Sequence, residues 1–336
     1  MLALAAARLG LKAHIYSNES DAPAFQVSTT HTIGEYDDEA ALKAFAEQCD
    51  AITFEFENVP SEAIALLSRL KPTNPNAKAL AIGQDRLEEK TFVRKLGIKT
   101  AEYAAVDSAS DVNIAITKVG APAILKTRRM GYDGKGQAKV KSADETVRAL
   151  ESFKGAPALL EDFVDFAFEA SVIAARGIDG SFAAYDPPEN LHGDHILRKS
   201  TVPSRLTPAQ IAEARNIAKR IAEALDYMGV LCVELFATKD GALLVNEIAP
   251  RVHNSGHWTL EACAISQFEQ HIRAVAGWPL GDPARHSNAV MENIIGDDAA
   301  NWLKLAKGGG ALHLYGKSDI RKGRKMGHIT KLSPKS

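Results

Sequence analysis

The 336-residue sequence predicts a protein of mixed α/β and α+β class, and three observations support this prediction. Helical and strand patterns alternate in the first part of the chain, up to about residue 84. Strand patterns joined by glycine loops follow from Ala121, as is typical of antiparallel sheets. A last short β region follows Gly308-Gly309-Gly310. We therefore expect an N-terminal α/β domain, a larger α+β domain and a short C-terminal β subdomain.

The N-terminal domain begins with a helix rather than a strand. Residues Met1–Leu9 form a helical pattern that ends at Gly10, and a short strand is predicted at 13–16. A helix near 39–48 and a strand at 51–57 continue the alternation. Doubly wound domains normally open with a strand and a glycine turn before the first helix. We therefore expect an incomplete Rossmann-like domain that starts in the middle of its first βα unit.

The larger domain is introduced by a helix at 85–96, which Gly97 ends. Thr207 and Pro208 supply the N-cap and first residue of a long helix that is predicted to end at Gly229. Between these two helices, strands are predicted at 123–127, 138–141, 158–163 and 168–175.

The stretch from Glu234 to Glu247 predicts a β-hairpin, because the Asp240-Gly241 dipeptide in its centre favours a two-residue type I′ turn. Such a turn pairs residues equally far from it, so Glu234 and Glu247 would face each other with Cβ atoms roughly 4.5 to 5.5 Å apart. At about 5 Å and an effective dielectric constant near 20, the two carboxylates repel by roughly 3 kcal/mol. Stability alone does not explain such a pair, whereas a divalent cation between the carboxylates does.

Oxygen ligands favour Mg²⁺ or Mn²⁺ over zinc, and Mg²⁺ held by one or two carboxylates usually serves the phosphates of a nucleotide. Glu234 and Glu247 are therefore the candidate metal ligands of a protein that uses ATP. The alternative is a register shifted by one residue, which would leave two separate glutamates on a solvated face.

The composition indicates a globular protein whose partners are small molecules. The net charge is -2 and the pI is near 6.6, so nothing favours binding to nucleic acid. Cys49, Cys232 and Cys263 have no metal-binding or disulfide-exchange spacing, which is typical of reduced core thiols in a cytoplasmic protein. No apolar segment approaches the roughly 20 residues that cross a bilayer, and the N-terminus lacks the basic region of a signal peptide.

A glycine-spaced loop at 130–137, Met-Gly-Tyr-Asp-Gly-Lys-Gly-Gln, connects two predicted strands. Backbone N–H groups of such a loop can close over phosphates, although an ordinary hairpin turn remains an alternative. Lys126 ends the preceding strand, where a cation suits phosphate neutralisation. Arg128 and Arg129 are interpreted as solvated flanks or secondary contacts.

Glu161 closes another apolar strand, and Glu169 begins the next. An acid at the first position could accept hydrogen bonds from a ribose or an amine, and a surface charge is an equally good interpretation. Both side chains could point into one cleft.

The segment directly after the hairpin, 246–259, is dense in polar groups. Arg251 offers a planar fork for a phosphate or carboxylate, and His253 is a neighbour that can exchange protons. His253 and His257 have the spacing of zinc ligands on a helix, but Gly256 interrupts the helix and no HExxH glutamate is present. We reject the zinc interpretation.

The segment 315–318, Tyr-Gly-Lys-Ser, is similar to the end of a P-loop, but Ala311 stands where the first glycine is required, and no helical pattern follows. We reject a P-loop. The basic residues around it are either a solvated face or a site for an anionic substrate opposite Arg251. They are Lys317, Arg321, Lys322, Arg324 and Lys325.

Together these residues resemble an ATP-grasp ligase and, more narrowly, the family of 5-(carboxyamino)imidazole ribonucleotide synthases, the ATPase component of aminoimidazole ribonucleotide carboxylation in purine synthesis. The resemblance runs over essentially the whole chain. It is carried by Lys126, the 131–137 loop, Glu234, 246–259, and the segments 54–59, 85–87, 189–192 and 323–328.

The resemblance implies an ATP-grasp fold with a pre-ATP-grasp domain at 1–84, an ATP-grasp domain at 85–285 and a C-terminal β subdomain at 286–336. A small lid subdomain would span about 121–187. Relatives begin with a strand and a glycine-rich turn ahead of the residue that matches Met1, and they continue beyond the residue that matches Ser336. We therefore expect the first strand and turn to be missing and the last subdomain to be shortened.

The resemblance also implies that ATP lies between two antiparallel sheets with Mg²⁺ on Glu234 and Glu247. The implied ATP-binding residues are Arg86, Lys126, Gly131, Tyr132, Asp133, Gly134, Lys135, Gly136, Gln137, Glu161, Asp162, Phe163, Val164, Glu169, His192, Asn246 and Glu247. The residues implied around the imidazole ribonucleotide and bicarbonate are Tyr132, Asp133, Lys135, Arg251, His253, Lys317 and Arg324, with either Glu57 or Glu55 nearby. Catalytic roles are expected for Tyr132, Arg251, His253, Lys317 and Glu57.

In this family ATP phosphorylates bicarbonate to carboxyphosphate, and the carboxyl group passes to the exocyclic amine of aminoimidazole ribonucleotide. The family also suggests a homodimer. Two alternatives remain: another ATP-grasp carboxylate-amine ligase, such as a formate-dependent purine formyltransferase, and a protein that binds ATP without turnover because its first βα turn is missing. The basic 317–325 cluster argues against the formyltransferase.

Overall fold

The computed structural model describes residues 1–131 and 135–335, and within them the strands form three sheets. The N-terminal sheet has two parallel strands, β1 (His14–Ser17) and β2 (Thr30–Ile33). The helices of this domain are α1 (Leu2–Arg8), α2 (Glu39–Glu47), α3 (Ser61–Ser68) and α4 (Ala77–Gly83). The apolar faces of α2, α3 and α4 enclose a separate core that includes Leu42, Ile64 and Leu80, whereas Leu2 and Ala5 of α1 belong to a core beside the large sheet.

The predicted strand at 51–57 is wrong. Within this segment only Ile52 has a bridge partner, Thr73, and the chain then turns. The alternation of side chains is present, because Phe54 is buried and Phe56 is exposed. An extended segment becomes a strand only where a neighbour supplies a ladder of hydrogen bonds, and here the neighbour ends after one bridge.

The small sheet has four antiparallel strands in the order β3-β6-β4-β5. Helix α5 (Arg86–Lys95), capped by Asp85, leads into it, and α6 (Val112–Val119) and α7 (Ala143–Ser152) cover it. Its strands are β3 (Tyr103–Val106), β4 (Ala123–Thr127), β5 (Gln137–Val140) and β6 (Ala158–Asp162). It has a core of its own and presents the end of β4 to the large sheet.

The large sheet has nine strands among the described residues, with β12-β11-β7-β9-β10-β13-β15-β14 as its main path and β8 beside β7. Neighbouring strands along this path, and β8 with β7, pair antiparallel. Its strands are β7 (Phe166–Arg176), β8 (Phe182–Ala184), β9 (Glu189–Gly193), β10 (Ile196–Val202), β11 (Gly229–Thr238), β12 (Leu243–Ala249), β13 (Ser287–Ile295), β14 (Ala311–Leu314) and β15 (Lys325–Pro334). Because β13 pairs with β10, the C-terminal strands extend the same sheet as the hairpin.

Helices pack on both faces of this sheet. One face carries α8 (Pro208–Ala224), and the other carries α10 (Gln267–Val275) and the short α9 (Thr259–Ala262). Helix α8 ends at Ala224, not at Gly229 as predicted, because Leu225 caps it, and Gly229 opens β11 at φ 118°. A last helix, α11 (Trp302–Lys307), precedes β14. In the part of the chain that the structure describes, no helix combines the length and the apolar character needed to cross a membrane.

Candidate active site

The hairpin of β11 and β12 places Glu234 opposite Glu247, as the sequence predicts, although the predicted turn is wrong. The loop has three residues, because the N–H of Thr238 donates to the carbonyl oxygen of Ala242 at 2.9 Å. Gly241 occupies its left-handed position at φ 90°. Compared with the register of the predicted two-residue turn, this loop shifts the pairs nearest to it by one residue, so that Ala237 faces Leu243 instead of Leu244.

A β-bulge at Asn246 restores the register. Glu234 and Leu235 are consecutive on β11, but their partners on β12 are Glu247 and Val245, so Asn246 is the extra residue. Bulges of this kind redirect side chains and are frequent near active sites. The facing carboxylates therefore depend on two irregularities whose effects on the register cancel.

Each of the two carboxylates has a cation beside it. Oε1 of Glu234 lies 3.0 Å from Nε2 of His253, and Oε2 of Glu247 lies 3.2 Å from Nη1 of Arg86. Burial acts to raise the pKa of Glu234, but the positive charge of His253 and its hydrogen bond outweigh burial and lower it. Glu234 is therefore an ionised oxygen donor at neutral pH, and a pair of carboxylate groups fits Mg²⁺ and not zinc.

In the described residues, no group of three or more histidine, cysteine, aspartate or glutamate side chains is placed to hold a metal ion. A Mg²⁺ ion on Glu234 and Glu247 would take its other ligands from water and phosphate oxygens, which is its usual mode of binding beside a nucleotide.

The small sheet contributes a buried charge cluster to the same region. Nζ of Lys126, at the end of β4, lies 2.6 Å from Oε2 of Glu161 on β6, and Nζ of Lys90 on α5 lies 3.3 Å from Oε1. Glu161 is only 3% exposed, so it is not the surface charge that the sequence left open. Burial acts to raise its pKa, but the charges of Lys126 and Lys90 prevail and lower the pKa to about 2.

Glu161 is expected to make the stability of the protein depend on acidic pH. Its pKa is lower in the folded chain than the ordinary value of 4.5, so its contribution is present above pH 4.5 and is lost as the pH falls towards 2. This contribution amounts to about 3 kcal/mol. Urea unfolding of wild type and Glu161→Gln should therefore differ most at neutral pH and converge near pH 2 to 3. Glu151→Gln, on the exposed end of α7, is the control. A difference in unfolding free energy between wild type and Glu161→Gln that stays constant from neutral pH to pH 2 would contradict the prediction.

The glycine loop lies beside Arg86, whose Nη2 donates to the carbonyl oxygen of Gly131 at 3.1 Å. Gly136 has φ 69°, and a Cβ there would lie 2.5 Å from Oγ1 of Thr127, so glycine is required for the close approach of the loop to β4. Tyr132, Asp133 and Gly134, which the sequence places in the site, lie outside the described residues.

Arg128 and Arg129 both make secondary contacts to Asp85, and Arg129 is also solvent-exposed. Nε and Nη2 of Arg128 lie 3.0 and 2.9 Å from the two carboxylate oxygens of Asp85, and Nε of Arg129 lies 3.2 Å from Oδ2. Asp85 also caps α5 through the N–H groups of Leu87 and Glu88. The start of the loop is thus attached to the start of α5.

The remaining nucleotide candidates lie on the two facing sheets. Nδ1 of His192 on β9 lies 2.5 Å from Oε2 of Glu169 on β7. Burial acts to lower the pKa of His192, but the hydrogen bond and charge of Glu169 raise it above its ordinary value. Gln137 reaches across from the small sheet, with Nε2 at 3.0 Å from Nδ1 of His195. Exposed or half-exposed positions are occupied by Lys135, Asp162, Phe163 and Val164.

The substrate candidates form a second group beyond His253. Nε and Nη2 of Arg251 lie 2.8 and 2.7 Å from Oε2 of Glu57. Glu55 is exposed, and the guanidinium lies on Glu57 rather than on Glu55. The positive charge of Lys325, at the start of β15, contributes to lowering the pKa of Glu234, which brings the C-terminal basic cluster to the same site.

Within that cluster the cations have different partners. Nζ of Lys317 donates to the carbonyl oxygen of Lys325 at 2.9 Å, and Nη1 of Arg324 donates to the carbonyl oxygen of Asp319 at 2.8 Å. The side chain of Arg321 pairs with Asp319. Lys317 and Arg324 are half-buried, whereas Arg321 and Lys322 are exposed, so the first two are the better candidates for substrate contacts.

Sequence reasoning missed a buried polar network under the site. Nδ1 of His253 lies 2.8 Å from Oγ of Ser255, which lies 2.7 Å from Oγ of Ser171. Asn190 connects Ser171 to Ser200 through hydrogen bonds of 2.9 and 2.7 Å. The network fixes the ring of His253, and no spacing in the sequence indicates it, because its members come from four separate segments.

Sequence reasoning also missed Glu89 and Lys90, which are each 2% exposed. Burial, followed by the charge of Glu247, raises the pKa of Glu89 to about 8. Here the sequence did hold an indication: Arg86, Glu89 and Lys90 have the i, i+3, i+4 spacing of one helix face, directly after the Asp85 cap.

Comparisons with known proteins match every part of the chain. The profile of the ATP-grasp domain matches residues 91–268. The ribonucleotide synthetase preATP-grasp domain matches residues 1–84, and the phosphoribosylaminoimidazole carboxylase C-terminal domain matches residues 289–336.

Individual relatives are similar over almost the whole chain. N5-carboxyaminoimidazole ribonucleotide synthase of Brucella melitensis is 50% identical over 339 residues, which cover 100% of this chain and 94% of that protein. The crystal structure of the synthetase from Thermus thermophilus is 46% identical, with a TM-score of 0.92 over 99% of this chain and 90% of that one. The synthase from Aspergillus clavatus, in complex with ADP and 5-aminoimidazole ribonucleotide, is 30% identical, with a TM-score of 0.92 and the same coverage.

Proposed function

The chain belongs to the family of N5-carboxyaminoimidazole ribonucleotide synthases, which are ATP-grasp ligases, and we propose how its residues carry out the reaction of that family. The enzyme carboxylates 5-aminoimidazole ribonucleotide with bicarbonate at the expense of ATP, in purine biosynthesis. Its product, N5-carboxyaminoimidazole ribonucleotide, is the 5-(carboxyamino)imidazole ribonucleotide named above. The observation that supports the residue assignment is the pair Glu234 and Glu247, which face each other on the large sheet while Lys126 and Arg86 approach from the small sheet and α5.

We assign the nucleotide to the cleft between the two sheets. Lys126, Arg86 and the backbone N–H groups of the 131–137 loop would neutralise the phosphates, and Glu234 and Glu247 would hold Mg²⁺. When bound, the ion supplies positive charge between the phosphate oxygens. The other residues assigned to the nucleotide are Glu161, Asp162, Phe163, Val164, Glu169, His192 and Asn246. Nζ of Lys126 donates to Oε2 of Glu161 at 2.6 Å, so we assign Glu161 the role of orienting that lysine.

We assign the aminoimidazole ribonucleotide and bicarbonate to the region of Arg251, His253, Lys317 and Arg324, together with Tyr132, Asp133 and Lys135. Arg251 is presented by Glu57, which fixes the direction of its guanidinium fork. Such a fork stabilises a carboxylate or phosphate with two parallel hydrogen bonds. Phosphoryl transfer to bicarbonate requires positioning and charge neutralisation more than a protein nucleophile, and these cations supply both. Transfer of the γ-phosphoryl group to bicarbonate would give carboxyphosphate and ADP here, and passage of the carboxyl group to the exocyclic amine would release inorganic phosphate.

We further propose the division of the chain into 1–84, 85–285 and 286–336, a lid at about 121–187, Mg²⁺ or Mn²⁺ as the metal, a homodimer and a cytoplasmic location. The separate apolar core of the N-terminal domain supports the boundary after residue 84. The core of the small sheet supports a small subdomain of its own, although this core also includes Val106 and Val119, ahead of residue 121.

A substrate panel tests the proposed function. Bicarbonate plus aminoimidazole ribonucleotide should stimulate ADP release from MgATP, and omission of either compound should abolish that stimulation. Stimulation only by formate plus glycinamide ribonucleotide would identify a formyltransferase instead. Calorimetric binding of MgATP with no hydrolysis under any of these conditions would identify an ATP-binding protein without turnover.

A further inference from the structure

The β-bulge at Asn246 leaves backbone N–H and C=O groups of β12 that need hydrogen-bond partners from outside the sheet. Among the described strands β12 is the edge of the large sheet. Apart from Val245, which bridges to Thr100 and whose N–H donates to the carbonyl oxygen of Lys99, its outer N–H and C=O groups have no strand to pair with. The extra residue also disrupts the ladder locally. Buried backbone groups left without partners would cost about 1 to 3 kcal/mol each.

Two side chains of α5 supply these partners. Nζ of Lys90 donates to the carbonyl oxygen of Asn246 at 2.7 Å and to that of Val245 at 3.4 Å. Oε1 of Glu89 accepts from the N–H of Ile248 at 2.5 Å. The bulge and the residues on both sides of Glu247 are therefore held from the outside by one helix face.

The same face connects the hairpin to the small sheet. Nζ of Lys90 lies 3.3 Å from Oε1 of Glu161, and the other oxygen of Glu161 lies 2.6 Å from Nζ of Lys126. A single buried ammonium thus contacts both the strand that carries Glu247 and the acid that orients Lys126.

Packing alone does not account for these residues. Lys90 and Glu89 are each 2% exposed, and burying the charge of Lys90 and the polar carboxyl group of Glu89 has a free-energy cost that apolar side chains of similar volume would avoid. Apolar residues could fill the space but could not bond to the Asn246 carbonyl or the Ile248 N–H. Arg86, on the same helix face, contacts Glu247 directly.

We propose that Glu89 and Lys90 are positioning residues, which hold the β12 bulge so that Glu247 and Lys126 converge on the phosphates of the nucleotide. This inference rests on the proposed nucleotide site and extends it to two residues that do not themselves contact the ligand. It predicts that the two side chains affect nucleotide and metal affinity more than they affect binding of the imidazole ribonucleotide.

The test is calorimetric binding of ADP to the full chain, with saturating Mg²⁺ and with the metal removed by EDTA. Lys90→Met, which keeps the length but loses the charge, should weaken MgADP binding roughly 10- to 100-fold, the usual effect of removing a group that orients metal ligands. Lys95→Met, at an exposed position of α5, is the matched control and should bind as wild type does. Hydrogen exchange at the Ile248 amide should become faster in Lys90→Met.

Glu89 provides a second, independent pair of variants in case Lys90→Met does not fold. Glu89→Gln keeps an oxygen acceptor for the Ile248 N–H and should stay within about 3-fold of wild type, whereas Glu89→Leu should lose affinity as Lys90→Met does. Lower melting temperatures with unchanged MgADP affinity in Lys90→Met and Glu89→Leu would show a purely structural role and overturn the proposal. Because ADP binding requires no carboxylation, a wild type that binds MgADP but fails the substrate panel would reject the proposed function and leave this inference open to its own test.

Discussion

Replacing Glu247 by glutamine is expected to abolish metal-dependent ADP release. The substitution removes one of the two anionic ligands from the site and leaves Arg86 without its partner at 3.2 Å. Site groups of this kind typically contribute about 10²- to 10³-fold to the rate, and Mg²⁺ affinity should fall as well, because carboxylates are its main protein ligands. The measurement is the rate of ADP release with saturating bicarbonate and aminoimidazole ribonucleotide over a range of Mg²⁺ concentrations.

Two further variants make the result specific. Glu234→Gln should behave like Glu247→Gln, since the two carboxylates are register partners. Glu223→Gln, near the end of α8, removes the same charge from an exposed position and should retain wild-type rates. Turnover by Glu247→Gln at wild-type rates and wild-type Mg²⁺ concentrations would remove the metal assignment altogether.

The facing pair shows how a sequence prediction can succeed while one of its premises fails. The Asp-Gly signal located the hairpin correctly, but the loop uses three residues, and only the bulge at Asn246 brings Glu247 back opposite Glu234. That bulge depends on contacts from Glu89 and Lys90, which lie more than a hundred residues earlier. A local turn rule does not include such a contact, so the register could not have been derived from the hairpin sequence alone.

The difference between local signals and contacts with distant segments also explains the errors in the predicted secondary structure. Helix starts with clear caps were predicted well because their signal is local, as at the start of α8, where Thr207 is the N-cap and Pro208 the first residue. The segment 51–57 has the alternation of a strand but lacks a partner beyond Ile52. Conversely, β9 carries polar residues such as Glu189 and His192, and it becomes a strand because β7 and β10 flank it.

For the site, the sequence indicated which residue types carry charge but not which charges neutralise each other. Lys126 was predicted as a phosphate cation, yet the structure shows it on Glu161, which the sequence could not distinguish from a surface acid. Glu55 and Glu57 were equivalent until Arg251 was placed on Glu57. Ion pairs between distant segments are set by tertiary geometry, so their identity depends on the fold.

Replacing Arg251 by lysine should impair turnover of aminoimidazole ribonucleotide while leaving the binding of MgADP nearly unchanged. The guanidinium uses Nε and Nη2 on Glu57 and donates from Nη1 to the carbonyl oxygen of Val252, so its plane is fixed. Lysine keeps the charge but cannot reproduce a planar fork. We expect kcat/KM for aminoimidazole ribonucleotide to fall about 10²- to 10³-fold.

The affinity for MgADP should stay within about 3-fold of wild type in Arg251→Lys, because the hydrogen bonds of Arg251 are to Glu57 and Val252, which are not among the residues assigned to the nucleotide. Arg273→Lys, which changes an arginine that also pairs with one carboxylate, that of Glu269 on α10, is the control for the chemical change itself. Calorimetry with MgADP and steady-state rates over a range of ribonucleotide concentrations give the two numbers. A parallel loss of MgADP affinity and of kcat/KM would place Arg251 at the nucleotide, whereas unchanged rates would remove it from the reaction. Only a loss of kcat/KM with unchanged MgADP affinity fits a residue that binds the ribonucleotide or the developing carboxyphosphate.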